Sequence, residues 1–283
     1  MILYKEAAAL KREIEKIKHS GKTTGFVPTM GALHNGHISL VKLSEEKSDI
    51  TVCSIFVNPV QFNDPEDFKK YPVTIDNDIL LLESAGCDIL FFPAVAEMYP
   101  LGIKSDMHYD IGELEHILEG KYRPGHFQGV CKVMHRLIDI VNPDYLFMGQ
   151  KDYQQCLVVK RLLQLIDNNT EIIIAGTLRE ETGLAMSSRN LRLSDEQKRK
   201  AAGIWKMLQY IKTNYTNIPL LQIEKHVNSY LLSNGFNKAD YVAIADADTL
   251  KPVKDISEAK RLVALIAAFI GEVRLIDNLV LAE

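Results

Sequence analysis

Apolar positions along this chain fall into two alternating rhythms. Between residue 5 and about residue 19, Leu10, Ile14 and Ile17 share one face at helical spacing, and Gly21 follows as a stop. Short apolar, partly β-branched runs then recur at 23–27, 50–57, 89–92, 145–148 and 171–175. Such runs suit strands buried on both faces. Helical patterns separate them at 37–47, 74–85, 129–141 and 153–165. In 74–85, Thr74 is the expected N-cap, Ile75, Ile79 and Leu82 face inward, and Gly86 ends the helix. The stretch 129–141 buries Val130, Val133, Leu137 and Ile140. Repeated strand–helix units predict a parallel sheet covered on both faces.

The rhythm changes after Asn190. Ser194 is placed to cap a helix reaching about Thr213, and a second helix covers about 220–233. Strand-like segments follow at 240–245, 262–268 and 272–278. The expected fold class is α/β: a Rossmann-like parallel sheet in an N-terminal domain, 1–186, with a smaller α+β C-terminal domain, 187–283. A loop at 177–188 joins them. No repeat or low-complexity tract interrupts the pattern.

Composition narrows the partners. Apolar residues make up 47% and charged residues 25% of the chain, as in ordinary soluble globular proteins. A net charge of −4 weighs against a general nucleic-acid-binding role, though not against a local basic pocket. Charges interrupt the N-terminal segment from Lys5 onward, unlike a secretory leader, and the longest apolar run, 262–270, is too short to span a bilayer. Cys53, Cys87, Cys131 and Cys156 form no CxxC pair and sit in or beside apolar stretches. They are expected to be buried, reduced thiols in a cytoplasmic protein.

In a doubly wound sheet the ligand sits in loops at the carboxyl ends of strands. Here those loops carry the unusual residues. After the first strand come Pro28-Thr-Met30-Gly31 and His34-Asn-Gly36-His37, directly before a helix. That order puts two imidazoles and free backbone N–H groups at a helix N-terminus, where phosphate binds readily. After the second strand comes Asn58-Pro-Val-Gln61-Phe. Gly149-Gln150-Lys151-Asp152 follows the strand at 145, with Gln154 and Gln155 opening the next helix. Ala185-Met186-Ser187-Ser188-Arg189-Asn190 closes the last loop. Each cluster alone also fits something plainer. His-x-x-His fits a metal pair, although no third ligand has sensible spacing, or a surface cap. Lys151-Asp152 fits an exposed pair, 186–190 a plain loop, and Asn58-Pro a turn. The case for a nucleotide site rests on the clusters occurring together.

His34-Asn-Gly-His37 resembles the HIGH signature of nucleotidyl transferases and class I aminoacyl-tRNA synthetases, with Met186-Ser-Ser-Arg189 where those enzymes carry a mobile KMSKS-type loop. More narrowly, the chain resembles the pantoate–β-alanine ligase family in Val27-Pro-Thr-Met-Gly-Ala-Leu-His-Asn-Gly-His37, Ser54-Ile-Phe-Val-Asn-Pro-Val-Gln-Phe62, Arg123-Pro-Gly-His-Phe-Gln-Gly-Val130, Gly149-Gln-Lys-Asp-Tyr-Gln-Gln155, Leu184-Ala-Met-Ser-Ser-Arg-Asn190 and Arg274-Leu-Ile-Asp-Asn278. The likeness covers essentially the whole length.

That resemblance implies ATP-dependent joining of pantoate and β-alanine to pantothenate through a pantoyl-adenylate, with release of AMP and pyrophosphate. It implies an ATP site made by Met30, Gly31, His34, Gly36, His37, Gly149, Gln150, Lys151, Asp152, Leu178, Met186, Ser187, Ser188 and Arg189. Catalysis would fall to His37 in a proton-donor role, with His34, Lys151 and Arg189. Gln61 would touch both pantoate and β-alanine, Gln155 would hold pantoate, and Asn58 and Arg123 would belong to the same pantoate/β-alanine side. No protein metal site is implied; Mg2+ would ride mainly on ATP phosphates. The family is cytoplasmic and tends to be homodimeric, with no nucleic-acid or membrane partner. Two positions depart from its pattern: Val73 stands where an Arg is usual, and Glu181 where Asp is frequent. The first removes a cation near the substrate-side loop. Two rivals are a nucleotidyl transferase without ligation and a tRNA-directed synthetase relative. The first leaves Gln61, Arg123-Pro-Gly-His126 and Gln155 unexplained, and the acidic charge balance opposes the second. A third, a non-catalytic nucleotide binder on the same fold, leaves no motif residue missing for chemistry and so explains nothing extra.

Overall fold

The computed structural model describes residues 1–63, 65–100, 102 and 107–281. The first part builds β1 (Ile2–Tyr4), α1 (Ala7–His19), β2 (Thr24–Thr29), α2 (Asn35–Lys47), β3 (Ile50–Ile55), α3 (Pro65–Lys69), α4 (Ile75–Ser84), β4 (Ile89–Phe91), α5 (Val95–Met98), α6 (Leu118–Tyr122), α7 (His126–Val141), β5 (Tyr145–Gly149), α8 (Tyr153–Leu165) and β6 (Glu171–Ala175). The remainder builds α9 (Asp195–Ala201), α10 (Gly203–Asn214), α11 (Leu220–Ser233), β7 (Lys238–Asp246), β8 (Leu262–Ile270) and β9 (Val273–Val280).

Among the described residues, β1-β4-β3-β2-β5-β6 form one sheet, and every ladder in it is parallel. Neighbouring strand residues enter different cores, as the pleat demands. Phe26, Val52, Leu146 and Met148 pack with Leu10, Ile14, Leu137 and Val159 of α1, α7 and α8. Val27, Cys53 and Phe147 pack with Leu40, Val41 and Leu82 of α2 and α4. The strand order reverses between β2 and β5, so a crevice opens outside their carboxyl ends.

The second sheet, β7-β8-β9, is antiparallel. One face, through Ile244, Ala264 and Ile266, packs on Ile204, Leu208 and Ile223 of α10 and α11. The other, through Ala243, Val263 and Leu265, packs on Leu118 and on half-buried Tyr153 and Leu157. The central strand is therefore covered on both sides, which is why 262–270 reads as an unbroken apolar run. No described helix is long and apolar enough to cross a membrane. Residues 186 and 187 lie in the connection between β6 and α9, and Leu184 and Leu193 from that connection join the second core.

Several expectations change in detail. The edge strand β1 is only three residues long and carries no readable period. β2 continues through Pro28 to Thr29; the β2–β5 ladder ends at Phe26, so the missing proline N–H breaks no bond on that side. Thr74 does not cap α4 with its side chain; its hydroxyl instead donates to Asp78 at 2.9 Å. Ile75 and Ile79 are only half-buried, while Asp78 is buried with Leu82. α7 starts earlier, at His126, because Gly125 turns the chain at φ +79°. The helix expected from Ser194 is two helices meeting at Ala202, with Ser194 and Gln197 forming the capping box at its start. All four cysteines are buried free thiols.

Candidate active site

The loop after β2 is shaped by one carboxylate. Gly31 and Ala32 take positive φ (+77° and +48°), which bends the chain sharply. Buried Asp78 of α4 accepts the N–H groups of Ala32 and Leu33 at 2.9 and 2.8 Å. The Thr29 hydroxyl donates to the Ser54 carbonyl at 2.7 Å and accepts the Gly31 N–H at 3.2 Å. These bonds fix where α2 begins.

At that start the two imidazoles cap the helix. His34 Nδ1 accepts the Gly36 N–H at 3.1 Å, and His37 Nδ1 accepts the His34 N–H at 3.4 Å. Their ring centroids are 4.0 Å apart. With Nδ1 accepting, each neutral ring carries its proton on Nε2. Burial, then the charge of Lys151, pushes His34 down to about 4. Burial, then His34 and Lys151, holds His37 well below the usual histidine range. Both rings are therefore uncharged at neutral pH and offer Nε2–H donors to the cavity they line. The backbone amides are less available than the sequence implied. Gly36 N–H serves the His34 ring, and the His37 and Ile38 N–H groups bond the His34 carbonyl. A side chain at Gly36 would press on the His34 ring at 2.9 Å, so the capping ring requires glycine there.

Gln61 is held from several sides. The buried Asn58 donates to its Oε1 at 3.2 Å and to the Gly129 carbonyl at 3.2 Å, while accepting the Tyr99 hydroxyl at 2.8 Å. His126 Nδ1–H donates to the Gln61 carbonyl at 2.7 Å, and its Nε2 accepts from Arg123 at 3.0 Å. Burial, with the Arg123 charge second, pushes His126 down to about 3. Arg123 in turn lies 3.5 Å from Glu119, which Arg274 grips through both carboxylate oxygens at 2.7 and 2.8 Å. Burial works to raise Glu119, but Arg274 and Arg123 hold it at about 2.

Across the crevice, Lys151 stands 3.7 Å from Asp152 after β5. The last loop arrives from above. Met186 N–H bonds the Leu178 carbonyl at 3.0 Å, Ser187 Oγ accepts the Arg189 N–H at 3.3 Å, and the Ser188 hydroxyl donates to the Ala32 carbonyl at 2.9 Å. This last bond ties the 186–190 loop directly to the turn before α2.

Together these groups enclose a cavity of about 210 Å3. It brings together Met30, His34, Gly36, His37, Gln61, Arg123, Gly149, Lys151, Asp152, Gln155, Leu178, Met186, Ser187, Ser188 and Arg189. A more charged cavity of about 500 Å3 adjoins it beside the second sheet and shares Arg123, Lys151, Asp152, Ser187 and Arg189. Three expected residues do not line the smaller cavity. Gly31 forms the turn behind it. Asn58 is spent on positioning Gln61. The Gln150 side chain faces away and donates to Asn278 of β9 at 3.2 Å. Val73 is 76% exposed and lies outside this cavity, as does Glu181. Asp78, His126, Glu119 and Asn278 were not singled out from sequence. His126 and Asn278 lay inside quoted motifs, 123–130 and 274–278, while Asp78 and Glu119 carried no signal.

Comparison with known proteins gives the same picture over the full length. A family model described as pantoate-beta-alanine ligase matches residues 2–280. Pantothenate synthetase of Cytophaga hutchinsonii is 44% identical over 283 residues, covering 99% of each chain. The crystal structure of pantothenate synthetase from Thermus thermophilus superposes with a TM-score of 0.92 at 37% identity, covering 100% of both chains. The Francisella tularensis pantoate-beta-alanine ligase, crystallised with beta-gamma ATP and beta-alanine, superposes with a TM-score of 0.83 at 36% identity over 99% of this chain and 97% of its own.

Proposed function

The chain belongs to the pantoate–β-alanine ligase family, and we propose that its crevice activates pantoate with ATP as a pantoyl-adenylate and then passes the acyl group to β-alanine. The observation that carries the residue roles is the meeting of His34, His37, Lys151 and Arg189 in one cavity with Gln61 and Gln155.

In the first step a pantoate carboxylate oxygen attacks the α-phosphorus and pyrophosphate leaves. Both partners are anions, so the site must supply positive charge and hold them in line. Lys151 and Arg189 supply charge. His34 and His37 supply Nε2–H donors to phosphate oxygens without competing as cations. Positioning the reactants contributes roughly 7–11 kcal/mol in well-oriented cases. Gln61 and Gln155 take the hydroxyl and carboxylate side of pantoate, and Arg123 draws the second substrate's carboxylate toward the crevice. In the second step the amine of β-alanine attacks the mixed anhydride, forming the amide and releasing AMP. The intermediate is carried on the substrate, so no protein nucleophile is needed.

The nucleotide is read as its magnesium complex. Imidazole N–H groups, amides and cations suit phosphate oxygens, so the ion belongs with the substrate. The same reading gives a cytoplasmic homodimer whose C-terminal part, from about residue 187, closes over the crevice.

The test is AMP release from ATP, followed with each substrate omitted in turn. AMP with pantothenate is expected only when pantoate and β-alanine are both supplied. Lys151→Ala should lower kcat by about 10²–10³-fold with the fold intact, in line with other transition-state donors. Wild-type turnover in that variant would remove Lys151 from the chemistry.

A further inference from the structure

Arg189 and Arg192 share one 3-10 turn, Ser188–Arg192, and both close on a single carboxylate. Arg189 Nη2 donates to one oxygen of Asp67 at 2.7 Å and Arg192 Nη1 to the other at 2.8 Å. All three side chains are partly buried, between 18% and 24% exposed. All three line the charged cavity that Lys151 also faces. Burial works to raise Asp67, yet the two guanidiniums hold it below the ordinary carboxylate range. A carboxylate spread over two guanidiniums presents the same two-oxygen edge as a phosphoryl group.

We propose that Arg189 and Arg192 form one anion seat for the terminal phosphates of the nucleotide and for departing pyrophosphate, and that Asp67 fills this seat when no phosphate is bound. This rests on the reading of the crevice as a nucleotide-activating site and adds two residues to it, Arg192 as a second phosphate cation and Asp67 as an internal surrogate anion. Two partly desolvated guanidiniums without an anion would be costly. Asp67 neutralises them before substrate arrives. Phosphate binding is then an exchange of one anion for another, which moderates affinity and lets Asp67 displace pyrophosphate after the first step. The carrier of Asp67 suits this exchange: α3 has five residues, none of them buried, so it gives up little packing when it shifts.

The experiment is calorimetric titration of pyrophosphate into the protein without pantoate or β-alanine. Asp67→Asn, and Asp67→Ser as a second removal of the charge, should tighten pyrophosphate binding roughly tenfold, and Arg192→Gln should weaken it by a similar factor. Pyrophosphate affinity within twofold of wild type in a folded Asp67 variant, or in Arg192→Gln, overturns the seat. The two readings fail separately. Tighter binding in the Asp67 variants of a protein that makes no AMP would keep the seat and sink the ligase chemistry. AMP formation by a protein whose variants bind pyrophosphate like wild type would do the reverse.

Discussion

His126 is 5% exposed and spends both ring nitrogens inside the protein, on the Gln61 carbonyl and on Arg123. It is held at about 3, mainly by burial, whereas an unfolded chain returns histidine to about 6.5. Between those values the unfolded chain binds more protons than the native one, so stability must rise with pH through that window. Glu119, held at about 2, acts in the same direction but only below the ordinary glutamate range. Comparing pH 7 with pH 5 therefore leaves Glu119 out and takes in the window of His126. In urea melts, His126→Gln should shrink the stability difference between these pH values by about 2 kcal/mol. An undiminished difference would mean that His126 is not kept neutral. The residues that could be read from sequence were those whose neighbours in the chain are also their neighbours in space, such as His34 with His37 and Lys151 with Asp152. Asp78 and Asp67 act on groups 46 and 122 positions away, so no local pattern announced them; His126 acts 65 positions away, and its motif marked its place but not its partner.

Elements with enough turns or enough neighbours in a sheet were legible. Helices α1, α8 and α11 and the strands β3, β4 and β6 sit within a few residues of where periodicity puts them. The five-residue α3 and α6 and the four-residue α5 were not, because a single turn shows no period. The break between α9 and α10 also escaped, since its apolar stripe continues across Ala202 into one core. Element packing sets the position of Gln61 through a glycine. A side chain on Gly129 would collide with the Val60 carbonyl and meet the Gln61 Cα at 2.7 Å, so α7 can lie against that loop only with glycine there. Gly129→Ala should cost about 1–3 kcal/mol in chemical denaturation, as overpacked sites do. Gly176→Ala, with nothing within 4 Å of its added carbon, serves as the comparison. Equal stability of the two variants would show that α7 does not press on the Gln61 loop.

At the scale of the molecule, the change from a parallel to an antiparallel sheet was readable from the altered rhythm after Asn190. The way the two sheets meet was not, because it depends on long-range contacts. β8 presents its second face to α6 and α8, and Asn278 of β9 donates to the carbonyls of Gln150 and Lys151 at 2.9 Å each. Arg179 of the long loop grips buried Asp277 at 2.6 and 3.1 Å and lies 3.5 Å over the Trp205 ring. The second sheet therefore holds the backbone that carries Lys151 and anchors the loop that carries Arg189, and the assembled cleft should activate pantoate before any amine is present. The most direct measurement is exchange of labelled pyrophosphate into ATP with β-alanine withheld. Exchange should require pantoate and stop when pantoate is left out. Exchange without pantoate, or none with it in a protein that still forms pantothenate when all three substrates are supplied, would contradict a pantoyl-adenylate made in this crevice.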